Sequence, residues 1–187
     1  MKTVILMQKI AAIAMLLSLT SCMGLYLSEK YLSENSDIRL GQPDLGAGKL
    51  PLIYSDSGAY ILTVNGETLI DQFVQFNRDG TVICGSTPGV YKTDGDTIFV
   101  NIYKLKYLKI ISRVKLLFIN SKTLRLIYQD YDKDYKKNNY ILNFYDFKRL
   151  VPQGNAMNNL LKKEWIWSDK SLYEKWKATQ PELSNSK

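Results

Sequence analysis

The chain has 187 residues, with 25 Lys and Arg against 18 Asp and Glu, a net charge of +7 and no histidine. Its length suits one modest core with extensions. The absence of histidine excludes Ser-His-Asp and Cys-His nucleophilic sites and removes the commonest general base and metal ligand.

In chain order, residues 1–21 read as a targeting segment. Lys2 and Lys9 give a positive beginning, Val4 to Leu19 is largely apolar, and Leu19-Thr20-Ser21-Cys22 closes the run with small residues before a cysteine. That ending resembles the lipobox of bacterial lipoproteins, which implies acylation of Cys22, an amino-terminal lipid such as palmitate, and attachment to the cell envelope at the outer membrane. The apolar run is shorter than the ~20 residues that a spanning helix needs. Without the leader the charge is +5, and with Cys22 acylated Cys84 is left as the single free cysteine. A small apolar strand residue explains Cys84 better than a reactive thiol, because no histidine is present to activate it.

Residues 22–50 are polar, carry Gly41, Pro43, Gly46 and Gly48, and keep no period of two or 3.6. They are expected to be a flexible tether. A single β domain is expected over 51–150, organised around the meander from Asp71 to Tyr103. Eight strands are read at Tyr60–Val64, Thr68–Phe76, Thr81–Cys84, Val90–Lys92, Thr97–Tyr103, Arg113–Ile119, Thr123–Gln129 and Tyr140–Phe147. Asn65-Gly66, Asp79-Gly80, Asp94-Gly95 and Asn120-Ser121-Lys122 supply turns, and Gly85 to Gly89 reads as a loop. The fold class is therefore all-β: an antiparallel up-and-down meander of about eight strands. Gaps this short hold no crossover for parallel pairing, and closing into a barrel removes exposed edges; a strongly bent sandwich is the structural alternative.

Gly58-Ala59-Tyr60, the strand run, Lys148-Arg149 after the last strand and a helical C-terminal segment together resemble the lipocalin-like small lipoproteins of Gram-negative bacteria. Tyr60 stands where that family's opening tryptophan belongs. The resemblance implies a barrel that holds a small apolar ligand, with Tyr60, Phe73, Tyr91, Phe99, Phe118 and Phe144 as candidate lining residues.

The tail, 151–187, differs in kind. A short helix is read at Asn155 to Lys163, an extended passage at Trp165-Ile166-Trp167, and a helix near 169–178 with Asp169 as N-cap and Leu172, Tyr173 and Trp176 as its apolar stripe. The three tryptophans are expected to plug or flank the domain.

Charge is uneven. Between Cys22 and Tyr103 five bases face ten acids, whereas eighteen bases face eight acids from Lys104 onward. Lys104, Lys106, Lys109, Arg113, Lys115, Lys122 and Arg125 follow one another without an intervening acid and form a candidate basic surface. In an envelope protein such a surface points to an anionic envelope component and not to nucleic acid.

Catalytic and metal motifs are not convincing. Gly85-Ser86-Thr87-Pro88-Gly89 has threonine at the centre of a nucleophile-elbow spacing and lies between two strands. Asp130-x-Asp132-x-Asp134 begins like a calcium loop, but Tyr135 and Ile141 replace its glycine and closing glutamate. No pair of acids suggests a glycosidase. The expectation is a non-enzymatic, lipid-anchored module without cofactor or metal that binds a small apolar ligand. An interaction or accessory protein, with a filled barrel and a working basic half or Trp-rich tail, is the alternative.

Overall fold

The computed structural model describes residues 29–41, 58–104, 111–130, 136–146 and 155–180. Eight strands close into one barrel in simple up-and-down order. They are β1 (Gly58–Val64), β2 (Glu67–Phe76), β3 (Thr81–Cys84), β4 (Thr87–Asp94), β5 (Thr97–Tyr103), β6 (Ile111–Asn120), β7 (Thr123–Gln129) and β8 (Tyr140–Asp146). The closing seam is complete, because β1 and β8 pair along seven residues from Gly58↔Asp146 to Val64↔Tyr140. That pairing excludes the sandwich.

The turns use the chemistry expected of them. Asn65 (φ 50°) and Gly66 (φ 93°) take the left-handed conformation of a two-residue hairpin turn. The Gly85–Gly89 stretch is a correction: only Gly85 and Ser86 turn, and Thr87, Pro88 and Gly89 already belong to β4. Gly89 is needed there because a Cβ would stand 2.4 Å from the Asn101 carbonyl oxygen.

Two irregularities shape the wall. In β2 the register jumps from Ile61↔Phe73 to Leu62↔Leu69, so that Ile70 to Gln72 form a bulge. In β7 the register moves from Lys115↔Tyr128 to Leu116↔Leu126, which turns Tyr128 outward and Gln129 inward. Simple alternation along β7 would put Tyr128 on one face with Leu124 and Leu126, and the shift removes it from that face. Pairing between β7 and β8 covers only Thr123 to Arg125, so Leu126 to Gln129 run on without a β8 partner.

Alternation sends Tyr60, Phe76, Val82, Tyr91, Ile98 and Leu124 into the barrel, where each is almost wholly buried. The aromatic rings meet edge to face: Phe76 lies 4.9 Å from Tyr91 and 6.0 Å from Tyr60, and Tyr60 lies 5.4 Å from Phe144. Such pairs contribute about 0.5–1.5 kcal/mol each beyond their burial. The tyrosines also fasten turns at this end. Tyr60 Oη donates to the Ser121 carbonyl in the β6–β7 turn, and Tyr91 Oη donates to the Asn77 carbonyl in the β2–β3 turn.

A second core lies outside the barrel, and here residues 29–41 depart from the expected tether. They form a helix, α1 (residues 29–35), followed by an extended segment, with Leu32, Ile38 and Leu40 buried. The tail packs beside them as α2 (Asn155–Leu161), a 3₁₀ turn at Glu164–Ile166 and α3 (Lys170–Ala178). Together they cover Ile83, Val90, Tyr103 and Ile111 on the outer face of β3 to β6. Leu40 pairs in parallel with Trp167: its N–H donates to Ile166 O at 2.8 Å, and its carbonyl accepts from Ser168 N–H at 2.9 Å. Gly41 (φ 78°) admits α3 closely, since a Cβ would stand 2.3 Å from Leu172 Cδ1. Trp165 and Ile166 are thus helical where an extended passage was expected, because this turn seats Ile166 in the core and Trp165 5.5 Å from Tyr103. The three tryptophans pack against this cluster and flank the barrel. Asp169 caps α3 by accepting from Ser171 N–H, and its hydrogen bonds with Ser171, from the side chain first and the backbone second, hold its carboxyl below the ordinary value of 3.8.

Residues 29–41, which form a strap across the barrel wall, are fixed by polar contacts as well. Ser36 Oγ bonds Tyr103 Oη at 2.5 Å, Asn101 Nδ2 donates to Asp37 Oδ1 at 2.8 Å, and Arg113 Nη2 donates to Asn35 O at 2.8 Å. Burial pushes both Tyr103 and Tyr60 up to about 12 from the ordinary 10.0. A phenol whose folded value is raised contributes stability that is intact below pH 10 and is lost as pH rises from 10 to 12. Urea unfolding should therefore show wild type ahead of Tyr103→Phe below pH 10, with the gap shrinking between pH 10 and 12. A gap independent of pH across that window would contradict this account of Tyr103.

Candidate ligand cavity

The aromatic cluster fills only one end of the barrel. At the other end, where β1–β2, β3–β4 and β5–β6 connect, a cavity of about 780 Å³ remains. Its position follows from side-chain size along each strand. β1 carries Tyr60 inward at the closed end but Leu62 and Val64 toward the mouth, β2 carries Phe76 and then Val74 and Leu69, and β8 carries Phe144 and then Leu142. Large residues give way to small ones at the same height, so the rings form a floor and the space above stays empty.

The cavity wall is aliphatic in its deeper part, with Leu62, Val74, Val100, Val114, Leu126 and Leu142. Cys84 also stands in this wall. Burial pushes its thiol up to about 12, which keeps it neutral and a poor nucleophile at physiological pH. Nearer the mouth the lining becomes polar, with Asn65, Glu67, Thr87, Lys104, Gln129 and Tyr140 at or near the rim. The rim is tied across strands by asparagines: Asn65 N–H donates to Asn139 O at 3.1 Å, and Asn139 N–H donates to Asn65 Oδ1 at 2.9 Å.

The candidate lining residues separate into three groups. Tyr60, Tyr91, Phe118 and Phe144 point inward but pack into the core cluster below the cavity. Phe73 touches the cavity beside the β2 bulge, yet packs against the outer core. Phe99 lies outside, with Lys92 Nζ at 5.7 Å and Lys115 Nζ at 5.2 Å from its ring centroid.

The basic residues are also spread out. Lys104 lines the cavity mouth. Arg113 is engaged by Asn35 and lies 3.8 Å from Asp37. Lys115 lies over Phe99 and Tyr128, Arg125 is exposed on β7, and Lys122 sits in the β6–β7 turn at the closed end. Lys106, Lys109 and the aspartates Asp132 and Asp134 lie outside the described residues. Lys92, Phe99, Lys115 and Tyr128 border an outer groove of about 820 Å³, which Asp37 and Asp94 share. Among the described residues no group of three potential metal ligands converges.

Apart from Phe73 and Lys104, sequence reasoning did not single out the residues that line the cavity. They are ordinary leucines and valines, together with Ser112 and Gln129, whose inward direction depends on register and on a bulge. No family model matches the chain, and neither a curated protein nor a solved structure does so.

Proposed function

We propose that this protein is a lipid-anchored binding module of the bacterial envelope, carrying one small, mainly aliphatic molecule in the upper half of its barrel. The observation behind the reading is the 780 Å³ cavity above the aromatic floor, open at one end and walled by leucine and valine. That volume falls within the ~300–1,000 Å³ typical of small-molecule sites, and the lining is the usual apolar wall with a few polar groups. A barrel filled by its own side chains, as the interaction reading required, would leave no such space.

Cys22 would bear the lipid. Six residues separate it from Glu29, where the described helix starts, so the anchor can hold the domain no more than about 25 Å from the headgroups even with the chain fully extended. The module would work close to the bilayer, a source of aliphatic ligands.

Native mass spectrometry of the protein purified from its own envelope tests both parts. The reading predicts an acylated Cys22 peptide and a non-covalent adduct of one small molecule per chain, lost on unfolding. An unmodified Cys22 would remove the anchor. Purification without any adduct, together with failure to take up added amphiphiles, would remove the binding function.

A further inference from the structure

One wall of the cavity differs from the rest. Ser112 faces inward from β6, opposite Ile102, and is 2% exposed, yet its Oγ has no hydrogen-bond partner. Gln129, 5% exposed, is paired to Val114 on the neighbouring strand, which places it diagonally across from Ser112 on the same inner face. Lys104 follows Ile102 by two residues and lines the mouth above them. The facing wall, with Leu62, Leu69 and Leu142, is aliphatic.

A buried hydroxyl without a partner loses its hydrogen bond to water and gains nothing in return. A ligand atom that accepts from it removes that penalty. One ammonium above it offers a single compensating charge, and Glu67 on the rim disfavours any further negative charge.

Building on the binding reading above, we infer that Lys104, Ser112 and Gln129 form the head-group subsite of the cavity, and that the occupant is a single-chain amphiphile with a monoanionic carboxylate head. Its aliphatic tail lies below, against Leu62, Val74, Val100 and Leu142, and ends on the aromatic floor. The carboxylate accepts from Ser112 Oγ and from the Lys104 ammonium, with the Gln129 amide lining the same wall. A dianionic phosphate would exceed the charge of one lysine, and a cationic head would meet Lys104.

Dodecanoate and dodecyltrimethylammonium share a tail and differ in the sign of the head, so calorimetric titration of both separates head from tail. Wild type should bind dodecanoate at least roughly tenfold more tightly than the cation. Ser112→Ala and Lys104→Gln should each weaken dodecanoate roughly tenfold, while the cation should bind Ser112→Ala as it binds wild type and Lys104→Gln more tightly, because the repelling ammonium is gone. Without ligand, Ser112→Ala should melt no lower than wild type, since it removes an unpaired buried hydroxyl, and this shows that weaker binding does not reflect misfolding. Equal affinity for the two heads, or dodecanoate binding unaffected by Ser112→Ala, overturns the subsite and leaves the cavity reading standing. Binding of neither amphiphile overturns both.

Discussion

Replacing Phe76 by alanine is expected to lower the stability of the barrel by about 3–5 kcal/mol, the range for removing a fully buried aromatic ring. Phe76 is 1% exposed and its ring lies between Tyr60 and Tyr91. Both neighbours carry hydroxyls fixed to turns at the closed end, so they cannot fold inward to fill the space without giving up those bonds. The void would open into the cavity above and deepen it. Urea unfolding should show a much lower midpoint, while the folded variant retains its ligand site. A loss below about 1 kcal/mol would mean that the floor is not packed as described.

The second expectation runs the other way. Leu126→Trp should abolish ligand uptake and change stability little. Leu126 lines the cavity on β7, paired with Leu116 of β6 but beyond the last β7–β8 pair, so that the wall is untied on its β8 side. Overpacking a filled core costs about 1–3 kcal/mol, but here the indole enters empty space and gains apolar contact instead. Leu62→Trp, entering from β1 on the far side of β8, should act alike. A variant that stays folded and binds as wild type would show that ligands do not use this space. Phe76 and Leu126 thus test the two halves of the barrel separately: the floor for stability, and the cavity for the proposed binding.

Much of the barrel was legible because local signals agreed. Asn65-Gly66 and Ser121-Lys122 turn the chain where their conformational preferences say, and alternation in Thr97–Tyr103 separates Ile98, Val100 and Ile102 from Phe99, although it did not say which set turns inward and Phe99 was expected in the cavity. Register carries the rest, and it is a non-local property. Nothing near Tyr128 announces the β7 bulge that exchanges it with Gln129, and nothing near Ile70 announces the bulge in β2.

The strap was missed for a related reason. Leu32, Ile38 and Leu40 are buried from a helix and then an extended segment, so they never establish one period, and their burial depends on a tail more than 110 residues away. The aromatic candidates show how size misleads. Large rings pack as floor or flank, and the cavity survives where they are absent.

The most direct test of the account is titration of wild type, Leu126→Trp and Leu62→Trp with the neutral apolar dye N-phenyl-1-naphthylamine, after each has been shown to unfold cooperatively. Wild type should saturate with one dye per chain, and both tryptophan variants should show no saturable site. A wild type without a saturable site, or three proteins that bind alike, would contradict the claim that the barrel is built as a half-filled container.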